Sequence, residues 1–124
     1  MSTANTALLY NLALEGFTVA DDLQAGAAGT QGGANRLPSQ LNRCTLSGAN
    51  GSFVLPSILS GEAAWIVFLV NDSANTNKVF PATGENLNGV ANASISIPAG
   101  QSGIFVPVPN GRGGTIDWRS SVIP

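Results

Sequence analysis

The stretch NKVFPATGENLNG, residues 77–89, decides how this chain is read. It opens as a short extended run, Lys78-Val79-Phe80, and then breaks into a corner. Pro81 fixes its own φ and removes a ladder donor, and Gly84 and Gly89 permit backbone positions where a Cβ would clash. Asn88-Gly89 is a further turn signal. Leu87 and Val90 are placed to pin the loop to a core. Glu85 is the one acid of the stretch, with no nucleophile and base beside it, so the segment reads as a mechanical chain reversal.

The residues around this corner extend the same pattern. Upstream, Asn42, Cys44 and Leu46 alternate with Arg43, Thr45 and Ser47, Asn50-Gly51 marks a turn, and Phe53-Val54-Leu55 runs into Pro56. The run from Ala63 to Val70 is rich in Trp, Ile, Val and Phe, and its length suits a central strand better than a helix. Asn71-Asp72-Ser73-Ala74-Asn75 supplies short polar side chains for turn amides. Downstream, Ile95-Ser96-Ile97 precedes Pro98-Ala99-Gly100, and the segment from Gln101 to Val108 places Ile104, Val106 and Val108 on one side and Phe105 on the other. Pro107 puts the end of that strand at an edge or outside the ladder. After Asn110-Gly111, a last strand spans Thr115 to Arg119. About seven short β segments separated by turns predict an all-β fold, an antiparallel sandwich or barrel-like domain. No fixed repeat period is evident.

The N-terminal part differs. Leu8, Leu9 and Leu12 have helical spacing, while Leu12, Leu14, Phe17 and Val19 suggest alternation interrupted near Gly16, so a short helix and an apolar arm both fit. Gly26 to Asn35 reads as a flexible loop because glycine raises the entropy cost of ordering. It lacks the Lys-Ser/Thr ending of a phosphate-binding loop. Residues 1–35 are therefore expected to form an N-terminal arm and glycine-rich loop, and residues 36–124 the β domain.

Composition narrows the function. A chain of 124 residues fits one domain that could bury roughly two-thirds of its extended surface. Apolar residues make up 44% and charged residues only 10%, and the net charge is −2. Such weak repulsion makes packed self-association easy to tolerate. Arg36, Arg43, Lys78, Arg112 and Arg119 are scattered, which argues against direct nucleic-acid binding. There is no His and the single Cys44 reads as a reduced apolar side chain, so a His-bearing zinc site and a Ser/His/Asp relay are excluded. The longest apolar run, eight residues from Ala63 to Val70, is far short of the roughly 20 of a membrane-spanning helix, and a soluble chain is expected. The Asn-X-Ser matches at Asn50, Asn71 and Asn92 read as accidents of an Asn- and Ser-rich chain.

Asp21-Asp22 reads as a solvated acidic turn, and Glu62, Asp72, Glu85 and Asp117 form no defined catalytic pair in the sequence. No catalytic residue, metal ligand or cofactor is expected. Trp65, within the apolar run, reads as core, whereas Trp118, between Asp117 and Arg119, is the candidate interface aromatic. Leu8, Leu9, Leu12 and Leu14 complete the candidate interface.

The order Val70 to Asn75, Val79-Phe80-Pro81-Ala82-Thr83-Gly84, Leu87-Asn88-Gly89, Ile95 to Gly100 and Thr115 to Trp118 resembles a family of small β-rich virion-associated proteins from tailed bacteriophages and prophages. The resemblance covers about Leu55 to Trp118. It implies non-enzymatic structural work in a virion assembled in the host cytoplasm. The expected role is a capsid decoration or cement protein, with the major capsid protein or another virion protein as partner and a homo-oligomer, such as a trimer, as the assembled state. A tail or fibre module binding a host-surface glycan is the alternative.

Overall fold

The computed structural model describes residues 16–58, 65–109 and 116–124. Eleven strands are found among them: β1 (Val19–Gln24), β2 (Asn35–Arg36), β3 (Leu41–Leu46), β4 (Ser52–Val54), β5 (Val67–Asn71), β6 (Asn77–Phe80), β7 (Asn86–Leu87), β8 (Val90–Ala91), β9 (Ile95–Ile97), β10 (Ser102–Pro109) and β11 (Ile116–Ile123). No helix occurs among the described residues. The strands form a seven-stranded sheet, ordered β1-β3-β5-β10-β11-β7-β8, and a four-stranded sheet, ordered β2-β4-β6-β9.

The all-β expectation holds, but the sheets are mixed and not antiparallel. The first six strands alternate between the two sheets, so β1, β3 and β5 are parallel neighbours in one and β2, β4 and β6 are parallel neighbours in the other. Parallel pairing requires a crossover connection. Here each crossover carries a strand of the opposite sheet, which makes three turns of a coil with no helix among the described residues. The aligned residues Val19, Leu41 and Phe68 are unequally spaced along the chain, so no repeat period marks the coil. Antiparallel strands close the structure: β9 pairs with β6, and β10 lies between β5 and β11.

One core cluster draws on both sheets. Cys44, Val67, Leu69, Phe105, Leu87 and Trp118 come from the large sheet, and Phe53, Val79 and Ile97 from the small one. Each of the larger of these side chains contributes about 1.5–3 kcal/mol through burial. Gly103 permits the close approach of β10 to β9, because a Cβ there would lie 2.7 Å from Ile97 Cδ1.

The expected boundary at residue 36 falls inside the hydrogen-bonded sheets. β1 and β2 both precede or straddle it and are paired with β3 and β4. The glycine-rich segment is also tied down: Gly26 and Ser52 exchange backbone hydrogen bonds of 2.9 Å, and Gln31 Nε2 donates to Pro81 O at 2.7 Å. A Cβ on Gly26 would collide with Gly33 O, so glycine serves close backbone packing there.

The corner behaves as a corner. Glu85 N donates to Ala82 O at 2.9 Å with Gly84 at φ 86°. Asn88 and Gly89 have φ of 52° and 85° between the paired residues Leu87 and Val90, the signature of a two-residue type I′ hairpin. Leu87 is in the core as expected, while Val90 is exposed. Pro107 sits beyond the β5 ladder, which ends at Phe105, so its missing donor is not needed on that side.

Candidate interaction surface

The polar groups that shape the large sheet are built into its frame. Asn71, fully buried at the end of β5, donates from Nδ2 to Asn75 O and to Ile97 O, both at 2.8 Å. Its Oδ1 accepts from Ser73 Oγ at 2.6 Å and from Ser73 N at 3.1 Å. One amide thereby folds the turn after β5 and ties it to the small sheet. Asn42, in β3, donates to Ser39 O and Phe68 O at 2.7 and 3.0 Å and so ties the segment before β3 to its neighbour β5.

The carboxylates singled out in the sequence have separate structural partners. Asp72 accepts from Arg43 Nε at 2.8 Å. Glu85, buried, accepts from Ser57 Oγ at 2.6 Å and from Ile58 N at 3.2 Å, fastening the connection after β4 to the corner. Asp117 accepts from Gly89 N at 3.0 Å and pairs with Arg119 at 2.8 Å. Glu62 lies outside the described residues. Asp21 is not simply a solvated turn residue: β1 bulges at Asp21-Asp22, with Asp22 at φ 52°, and Asp21 Oδ1 accepts from Arg43 Nη1 at 2.6 Å. Burial opposes the charge on Arg43, but the bonds and charges of Asp72 and Asp21 outweigh it and hold the guanidinium above its ordinary range. Burial also pushes the Cys44 thiol up, which favours its neutral form, and its Sγ donates to Leu46 O at 3.5 Å.

Strand alternation and pairing define a second apolar face. Val67 and Leu69 belong to the main core, whereas Phe68 and Val70 pack with Leu41 and Phe17 in a separate cluster on the opposite side of the large sheet. Val19, Leu41, Phe68, Ile104 and Ser121 follow one another across β1, β3, β5, β10 and β11. Val106, two residues beyond Ile104, is paired with Arg119 on the same side. Leu41 and Val70 are buried, while Phe17, Phe68, Ile104 and Val106 are only partly so and Val19 is exposed. The large sheet is thus apolar on both faces.

Trp118 is not an interface residue on this surface. It is fully buried in the main core, because β7 pairs with β11 on the side away from β10 and leaves it in the sheet interior. Trp65, expected in the core, is 47% exposed, because β5 begins at Val67 and leaves it outside the strand. Leu8, Leu9, Leu12 and Leu14 lie outside the described residues, as does Arg112. Sequence reasoning missed the face around Phe68. Its signal was the unbroken apolar run Val67 to Val70, which marks a strand buried on both sides.

No protein-family model, no curated protein and no solved structure matches this chain.

Proposed function

We propose that this chain is a non-enzymatic structural protein of a bacteriophage virion, a capsid decoration or cement protein that binds neighbouring shell subunits. The observation that carries this reading is the second apolar cluster of the large sheet, Phe17 and Phe68 with Leu41 and Val70, whose neighbours Ile104 and Val106 reach water in part and Val19 more fully. An apolar surface of that kind on a small domain serves protein contacts. The shared core of the two sheets supports a sandwich or barrel-like packing, which would present this face as a firm platform. The structural partners of Asp72, Glu85 and Asp117 favour a scaffold over a reaction centre. In this reading the apolar N-terminal residues Leu8, Leu9, Leu12 and Leu14 add contacts to the shell, the chain acts as a homo-oligomer, and many weak contacts sum through the symmetry of the particle.

The test is to mix purified protein with undecorated capsids of the same virus. Stoichiometric, symmetric occupancy supports the proposal, and absence of binding where both components stay intact contradicts it.

The exposed Trp65 favours a second reading, a tail or fibre module that stacks on a host-surface glycan. Saturable sugar binding lost in Trp65→Ala would favour it over the first.

A further inference from the structure

Asn71, Ser73, Asn75 and Asn77 alternate along the turn from β5 into β6, and side-chain hydrogen bonds hold each of the first three. Asn77 differs. It is fully buried at the start of β6, yet neither its Nδ2 nor its Oδ1 has a hydrogen-bond partner in the protein. A buried polar group left so bears its whole desolvation cost, and nearly all such groups in folded proteins are met by protein atoms or by ordered water. Asn77 and Val79 lie on the same side of β6, and Val79 is in the main core, so the amide points between the two sheets.

The surroundings distinguish the two ends of the amide. Asn77 and Ser73 both temper the rise in the Cys44 pKa, as donors facing the sulfur do, so Nδ2 is turned toward Cys44 Sγ although it reaches no atom in hydrogen-bond geometry. Sulfur is a weak acceptor, and this end is the less demanding one. Oδ1 lies on the side of Gly51. A Cβ on Gly51 would collide with Ser47 Oγ and sit 3.1 Å from both Asn77 Oδ1 and Ala25 Cβ, so the two oxygens are gathered round one point among small side chains. Ser47 Oγ donates to Gly48 O at 3.2 Å, which leaves its lone pairs to accept and gives Asn77 Oδ1 no proton. Two buried oxygens therefore face one place, and both call for a donor.

We infer that this place is an internal water site, in which one water molecule donates to Asn77 Oδ1 and to Ser47 Oγ and so joins β6 to the loop after β3. A neutral donor is required. The charged neighbours in sequence, Arg43 and Asp72, are paired with each other, and among the described residues no group of acids and thiols could hold a metal ion. An ion buried without a counter-charge would be far costlier than a water with two or more polar partners. The bridge belongs to the same end of the coil where Asn75 Nδ2 reaches Ser47 O at 2.7 Å, so the large sheet and the small one are tied there twice, once directly and once through water.

The inference does not rest on the virion reading, because it concerns the interior and is tested on the purified chain alone. A crystal structure of the wild-type chain, at a resolution that shows ordered water, should contain a density peak within hydrogen-bond distance of Asn77 Oδ1 and Ser47 Oγ that refines as a water oxygen. Oxygen-17 magnetic relaxation dispersion, which counts long-lived internal waters in solution, should give one fewer for Asn77→Leu than for wild type, with folding checked by circular dichroism. If Asn77→Leu fails to fold, the wild-type crystal structure decides alone. Absence of the peak overturns the inference, whether Asn77 Oδ1 is left without a donor or accepts directly from a protein group. A peak that refines as an ion overturns it too, as does an unchanged water count in a folded Asn77→Leu.

Discussion

Arg43 Nε donates to Asp72 Oδ2 at 2.8 Å with both side chains almost removed from water, 3% and 1% exposed. The pair joins β3 to the turn after β5, and Asp21 in the β1 bulge binds the same guanidinium. Three successive neighbours of the parallel coil are thereby fixed to one cation. Breaking this pair leaves the buried guanidinium with only the half-exposed Asp21 as its counter-charge. Asp72→Ala should cost about 3–5 kcal/mol in urea unfolding. Arg43→Met combined with Asp72→Leu should cost less than Asp72→Ala alone, because no charge is left stranded.

Asn71→Asp tests the amide that folds the neighbouring turn. The substitution keeps the shape but removes the donors to Asn75 O and Ile97 O and places a carboxylate against both carbonyls. A loss of at least about 2 kcal/mol is expected, since buried acceptors lose their partners. Thermal unfolding at neutral pH measures it, and the loss should shrink at low pH as the carboxylate becomes protonated.

The two tryptophans should separate cleanly. Trp118→Ala empties a fully buried site and should destabilise the fold by about 3–5 kcal/mol. Trp65→Ala should change stability by no more than about 0.5 kcal/mol. Iodide should quench the fluorescence remaining in Trp118→Ala, if it still folds, and spare that remaining in Trp65→Ala.

Much of the local structure was legible in the sequence. Turn chemistry identified the Asn88-Gly89 reversal and the Pro81–Gly84 corner, and β-branched alternation identified the strands at Lys78–Phe80 and Ile95–Ile97. The sheet-switching path was not legible, because alternation shows which side a residue faces and not which strand it pairs with. For the same reason Trp118 read as terminal and exposed: nothing local announces that β7 returns to cover its strand. The bulge that aims Asp21 at Arg43 was hidden too, since the two residues meet only through parallel pairing of β1 and β3.

Hairpin geometry gives a further expectation. Asn88 Nδ2 donates to Ser120 Oγ at 2.8 Å, and Ser120 N donates to Asn88 Oδ1 at 3.0 Å, so the turn is clamped to β11. Gly89→Ala places a Cβ at φ 85° and should cost about 1 kcal/mol or more. Asn88→Gly keeps the backbone but loses the clamp, and amide hydrogen exchange should rise at Ser120 with little change elsewhere.

Cys44 provides a pH signature. Its folded pKa is raised by burial, so stability is unaffected below the ordinary thiol pKa of about 8.5 and falls as pH climbs from there through the folded value. Cys44→Ala should remove this part of the alkaline loss while lowering stability at neutral pH. Thiol reagents should label Cys44 only after unfolding.

A particle reconstruction tests the central claim most directly, because it reports location, copy number and contacts together. The account predicts density for this all-β domain at symmetry-related sites on the shell, with the Phe68 face or the N-terminal leucines against a protein neighbour. Intact particles with no such density, from a virus whose genome encodes this chain, would contradict it.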